Sequence, residues 1–295
     1  MTLIDTEVAQ EIVLESAEAE THIPSTGHRA LSRLGRTLGG AAVSLIVALG
    51  IWQGFIWLFD LDPFIARGPL DVWRYLTTAT GAEANRQLLI DASITTFRDA
   101  ALGFIAGTIA AVVIAIGFAL RRGVEQTMMP IAMALRSVPL VAMTPLIALI
   151  FGRGLLAVTI IAGIVTFFPT LVNVSIALKS VPPHMSDLMH AYGAGSAVTV
   201  RKVQFPWALP SLFASARIAA PLALIGALLA EWLATGKGLG YLMLQSMAMF
   251  EIDRVWASVA IVTIASVILY NIISAVESSV LAKYAPDQST KAKLG

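Results

Sequence analysis

The sequence predicts an all-α membrane protein with about six transmembrane helices. Composition is the first observation behind this. Of the 295 residues, 57% are hydrophobic and 13% charged, and mean hydropathy is +0.78, whereas a soluble domain has roughly 45–50% apolar and about 25% charged residues. The second observation is length: apolar runs near 38–59, 99–120, 128–151, 155–178, 209–231 and 255–278 each have the roughly 20 residues needed to cross the hydrocarbon layer. The third is their pattern, which lacks the alternation of a barrel strand, so their backbone polar groups are satisfied in lipid only within helices.

The chain divides into an N-terminal tail, 1–37, a transmembrane domain, 38–282, and a C-terminal tail, 283–295. The first tail carries Asp5, Glu7, Glu11, Glu15, Glu18 and Glu20 before its first basic residue, Arg29. This is the reverse of a secretory signal's basic start, and no cleavage is expected. Ile4, Val8 and Ile12 fit either a short amphipathic helix or a solvated tail.

Basic residues set the orientation. Arg29, Arg33 and Arg36 precede the first run, Arg121 and Arg122 follow the second, Lys179, Arg201 and Lys202 lie between the fourth and fifth, and Lys283, Lys291 and Lys293 follow the sixth. The positive-inside rule therefore puts both termini and the 182–208 loop in the cytoplasm, with 60–91, Gly152-Arg153-Gly154 and 232–254 outside.

Within the spans, Pro139 and Pro145 of the third, Pro169 of the fourth and Pro221 of the fifth each remove a backbone donor. The resulting kinks fit a gated path, or equally bends tolerated in an ordinary bundle. Gly103, Gly107 and Ala111 recur at a spacing that suits close helix packing. A charge at mid-membrane costs about 2.5–3.5 kcal/mol, so Arg98, Asp99, Arg136, Arg217 and Glu231 each need a partner, a wet cavity or a reach to the headgroups. Adjacent Arg98 and Asp99 point to different faces and are not expected to neutralise each other. The expected path residues are Pro139, Pro145, Thr166, Phe168, Asn173, Arg217 and Glu231, although a membrane-helix Thr usually bonds its own backbone.

Catalytic chemistry is not expected. The one Gly-Lys pair, Gly236-Lys237, is followed by Gly238 and has Glu231 where a phosphate loop needs its first glycine. The chain has no cysteine, and its four histidines, His22, His28, His184 and His190, lie outside the spans. A disulfide, a metal site and a mid-membrane histidine relay are therefore not expected, nor is a nucleic-acid partner.

Residues 182–208 are too polar to cross the membrane. Ser186 to Tyr192 fits a short helix starting near Pro183 or Ser186, and Gly193 and Gly195 allow a left-handed turn. Val198 to Phe205 fits a second helix with Arg201 and Lys202 toward the headgroups. The segment is either a knob offered to a partner or an interfacial loop with basic anchors.

Asp187, His190 and Gly193, then nine residues and Val203-Gln204-Phe205-Pro206, with Pro210 four further on, resemble the cytoplasmic motif of ABC-importer permeases. That motif has an acidic residue, two alanines and a glycine, followed after nine residues by aliphatic-x-aliphatic-Pro. The alanine positions hold Leu188 and Met189, a departure from it. Ser93 and Arg98 with Gly103-Phe104, "RSVPLVAMTPL" (136–146), "FGRG" (151–154), "FFP" (167–169) and "AEWLATGKGLG" (230–240) are similar to permeases of the nitrate, sulfonate and taurine importers. The similarity runs from about residue 69 onward.

The resemblance implies a type I importer permease fold with cytoplasmic coupling helices, in a bacterial inner membrane and surrounded by lipid. It implies a second permease copy, by default a homodimer because the chain carries no repeat, two ATPase subunits held through the 187–206 loop, and a substrate-binding protein. ATP and magnesium would be bound by the partner ATPase, with no cofactor in this chain. The implied solute is a small anion such as nitrate, taurine or another sulfonate, with a pyrimidine-type vitamin precursor as the alternative. An ion-coupled secondary transporter using Glu231 with Arg98 or Arg217, and a scaffold without transport, stay open on the residues alone; an inverted repeat and deep acidic residues, which would favour the former, are not seen.

Overall fold

The computed structural model describes residues 43–284. The expected N-terminal tail, residues 38–42 of the first expected span, and the C-terminal tail beyond 284 lie outside the described residues. The described chain contains helices and turns and no strand. It divides into two units between Leu61 and Asp62. In the first unit α1 (Val43–Leu58) occupies the first expected span as an apolar helix shorter than a full crossing.

The second unit contains α2 (Pro69–Thr77), α3 (Ala82–Leu120), α4 (Arg122–Arg136), α5 (Leu140–Phe151), α6 (Leu155–Lys179), α7 (Pro183–Ala191), α8 (Ser196–Thr235), α9 (Gly238–Ala248) and α10 (Ile252–Tyr284). By length and composition α3, α6, α8 and α10 can each cross a bilayer, and α4 with α5, bent by 101° at the break between them, is long and apolar enough only when the two are taken together. The second expected span is only the latter part of α3. Its 39 residues extend about 58 Å at roughly 1.5 Å per residue, well beyond the hydrocarbon layer.

One expectation about proline is corrected. Pro139 does not kink a continuous third span; it is the extended N-cap of α5, and the helix breaks at Ser137–Pro139. A residue before proline is pushed out of the helical region, which favours a break here over a bend. Pro130 lies inside α4. Pro145, Pro169 and Pro221 are interior to α5, α6 and α8.

The expected second loop helix, Val198 to Phe205, is likewise not separate, because it forms the first turns of α8. Pro206 cannot donate to the Lys202 carbonyl, and the ladder widens just before it into a π turn over Val200–Gln204, with Phe205 N–H donating to Val200 O.

The packing centre is the middle of α6. On one side lie Gly103 and Gly107 of α3, where an added Cβ would run into the Ala162 side chain and the Thr166 hydroxyl respectively. On the other lies Gly226 of α8, whose added Cβ would come within 2.8 Å of Ala162 Cα. Small residues therefore bring three backbones together where lipid supplies no hydrophobic drive for association. Val158, Ile161, Ala223 and Ala227 bury one core layer, and Leu171, Val174, Leu178 and Ala115 another nearer the α7 end.

Candidate coupling helix and translocation cleft

α7 starts with Pro183 at its first position, where the missing N–H costs nothing. It ends in a Schellman turn: Gly193 N–H donates to His190 O and Ala194 N–H to Met189 O, both at 2.9 Å. The turn needs φ = +69° at Gly193, a conformation that costs a branched residue about 1–2 kcal/mol. Gly195, expected to share the left-handed role, is extended instead and caps α8. No residue of α7 is buried. Leu188 and Tyr192 are 57% and 83% exposed, and Asp187 and His190 are exposed on the same short helix. Val203, Phe205, Pro206 and Pro210 are half-buried in the opening turns of α8, behind the exposed Arg201 and Lys202.

A cleft of about 520 Å³ opens at the α4–α5 break against α6 and α8, lined among others by Arg136, Leu140, Met143, Phe167, Phe168 and Leu222. Phe167 and Phe168 meet edge to face at 5.1 Å. Of the expected path residues, Phe168 lines this cleft. Pro139 and Pro145 are exposed beside the break, and Asn173 is exposed about one turn further along α6. Thr166 does not line it: this residue is fully buried against Gly107 and donates to Gly163 O at 3.0 Å. Its role in the described chain is packing.

The charges are largely spoken for. Arg217 faces α10, where it forms an ion pair with Glu277 at 3.3 Å and Tyr270 lies under the guanidinium. Arg98 and Asp99 pair at 2.8 Å, against expectation. The long arginine folds back along the helix to the buried carboxylate, which backbone direction alone does not forbid. Arg136 has no hydrogen bond or ion pair among the described residues.

Glu231 is also not on the cleft. It is 1% exposed at the far end of α8 from α7. Its Oε2 accepts from Gly240 N–H at 2.7 Å and from the Thr96 hydroxyl at 3.0 Å, and the Thr96 oxygen in turn accepts from Leu239 N–H at 2.8 Å. Gly238, at φ = +85°, passes so close that an added Cβ would overlap the carboxylate. Arg153 of the Gly152–Gly154 turn donates to Ala234 O at 2.8 Å. Glu231 thus fastens α9 and the 236–240 turn to α3, and Arg153 fastens the α5–α6 turn to the same point. Sequence reasoning missed Thr96, Glu125 and Glu277, and it placed Arg153 in the 151–154 segment without its contact to Ala234. Of the three missed residues, Glu125 gave a signal, as the sole carboxylate near Arg121 and Arg122.

Residues 100–281 match the family of binding-protein-dependent transport system inner membrane components. The riboflavin transport system permease protein RibX of Chloroflexus aurantiacus is 30% identical over 246 residues, covering 82% of this chain and 89% of the relative. A putative aliphatic sulfonates transport permease protein, SsuC of Bacillus subtilis, is 25% identical over 249 residues, covering 83% and 89%. Among solved structures, a chain of the MetNI methionine ABC transporter in an inward-facing conformation superposes with a TM-score of 0.59 at 20% identity, over 67% of this chain and 98% of that one.

Proposed function

We propose, on the premise that this chain belongs to the family of binding-protein-dependent transport system inner membrane components, that it forms the translocation path for a small anion and is driven by a separate ATPase through residues 187–206. It is a multi-pass inner-membrane permease of an ABC importer with the type I fold. Two ATPase subunits, which bind ATP and magnesium, grip α7, and a binding protein delivers the solute to the opposite face. The path completes itself with a second copy of the chain. Both termini and α7 lie on the cytoplasmic side, in keeping with Arg121, Arg122, Lys179, Arg201 and Lys202 at that end of the bundle.

The observation that carries this reading is the joint between α7 and α8. An unburied helix, shaped for a partner, is held by a single glycine turn to a 40-residue helix about 60 Å long at roughly 1.5 Å per residue. Displacing α7 moves α8, and α8 packs on the centre of α6 and the wall of the cleft. The π turns at both ends of α8 are points where its ladder can shift register. ATPase closure would thereby shift the population between inward- and outward-open states.

The choice of an anion is supported by Arg136, the unpaired cation on the cleft. Riboflavin and aliphatic sulfonates, named for the relatives, are different chemistries, so uptake of labelled candidates decides between them. The test of coupling is Gly193→Val. The open space around that residue leaves the spans intact, while the turn is strained. Membrane level and ATPase binding should persist with transport and transport-linked ATP hydrolysis falling by about tenfold, the equivalent of roughly 1.4 kcal/mol lost from the coupling step. Wild-type transport in that variant would refute the assignment.

A further inference from the structure

We infer that the depression between the start of α4 and the end of α6 binds the headgroup of an anionic glycerophospholipid. It encloses about 400 Å³ and is walled by Arg122, Glu125, Gln126 and Lys179 on its polar side and by Met129 and Met133 on its apolar side. Glu125, whose side chain is only 7% exposed, pairs with Lys179. That pair pins the first turn of α4 to the last residue of α6, and one net positive charge remains, on Arg122. Arg122 is exposed and has no hydrogen bond or ion pair among the described residues.

The position suits a lipid. α3 ends its apolar run at Leu120 and α6 ends at Lys179, so the depression sits where the chain leaves hydrocarbon. α4 turns away from α5 by 101° and exposes Val124, Met128 and Ile131, as a helix lying in the interface does. Moving along the depression, a ligand meets a cation, then an amide, then two thioether side chains. A phosphodiester with a glycerol and the start of an acyl chain presents the matching order. A zwitterionic headgroup would bring its own cation beside Arg122, and a free phosphate would leave Met129 and Met133 against water. The bound lipid would tie α4 to α6 next to α7 and so brace the platform from which α8 starts. This inference stands apart from the transport reading, because it concerns lipid retention alone.

The test is native mass spectrometry of the full chain, delipidated in mild detergent and titrated with phosphatidylglycerol or with phosphatidylcholine of the same acyl chains. The expected result is about fivefold greater retention of phosphatidylglycerol, the ratio given by roughly 1 kcal/mol per basic residue. Arg122→Gln should abolish this preference, and Arg74→Gln, at the other end of the unit, should keep it. Equal retention of the two lipids by the wild type would overturn the proposal. So would displacement of phosphatidylglycerol by millimolar glycerol phosphate, which would mark a free-anion site. A third contrary outcome is an Arg122→Gln chain that keeps its lipid preference and loses ATPase capture, which would mark the surface as a protein contact.

Discussion

Gly240 donates its backbone N–H to the buried carboxylate of Glu231 at 2.7 Å, across a turn in which Gly238 leaves no room for a side chain. The other carboxylate oxygen, Oε1, has no hydrogen-bond partner among the described residues. This buried acid at the end of α8 far from α7 holds α9 against α8 and α3.

This arrangement makes Glu231→Ala a stability mutation. It strands the Gly240 N–H in a buried place at a cost of about 1–3 kcal/mol, which lowers the melting temperature in detergent. Gly238→Ala should lower it too, by forcing the carboxylate aside. Because both act on one contact, the double variant should lose less than the two single losses together. Additive losses would show that the two residues are not coupled.

Packing at the α3–α6 crossing gives a second expectation. Gly107→Leu forces α3 off Gly163 and Thr166 and should cost about 1–3 kcal/mol or prevent close packing altogether. Gly117→Leu, on the same helix where nothing lies within 4 Å, should change thermal stability little. Similar losses at both positions would argue against the crossing.

The arginines separate into two kinds. Arg217→Gln leaves Glu277 half of a broken pair and should reduce stability. Arg136→Gln breaks no pair in the described chain and should leave stability unchanged while cutting anion uptake by roughly ten- to a hundredfold, as loss of one charge-assisted hydrogen bond of about 1.5–3 kcal/mol requires. An Arg136→Gln chain with full anion uptake would remove this residue from the path.

Much of the helical plan was legible because each apolar run is long and the family-like segments fall in order. The breaks were less legible. Pro139 and Pro145 carry the same local rule, yet one ends a helix and the other is absorbed, a choice made by the packing of α5 on α6. Gly193 was legible as a turn because only a left-handed residue closes a Schellman motif, whereas Gly195 resembled it in sequence and does not do so. The polar contacts were hidden because their partners are distant in the chain: Thr96 lies 135 residues from Glu231, and Arg153 lies 81 from Ala234. No periodicity carries such a pairing. Arg98 and Asp99 failed for the opposite reason, since the length of an arginine side chain defeats a rule based on backbone direction.

On the coupling proposed above, α7 hands this chain the energy of another protein's ATP. The most direct test of that coupling is purification of the intact chain from its native membranes, with gentle crosslinking from cysteines placed at Leu188 and Tyr192, followed by identification of what is attached. The expected result is an ATPase subunit, one per permease chain, crosslinked at both positions. Recovery of the permease with no ATPase at either position, while uptake in the same vesicles collapses on adding a protonophore and persists after ATP depletion, would contradict it.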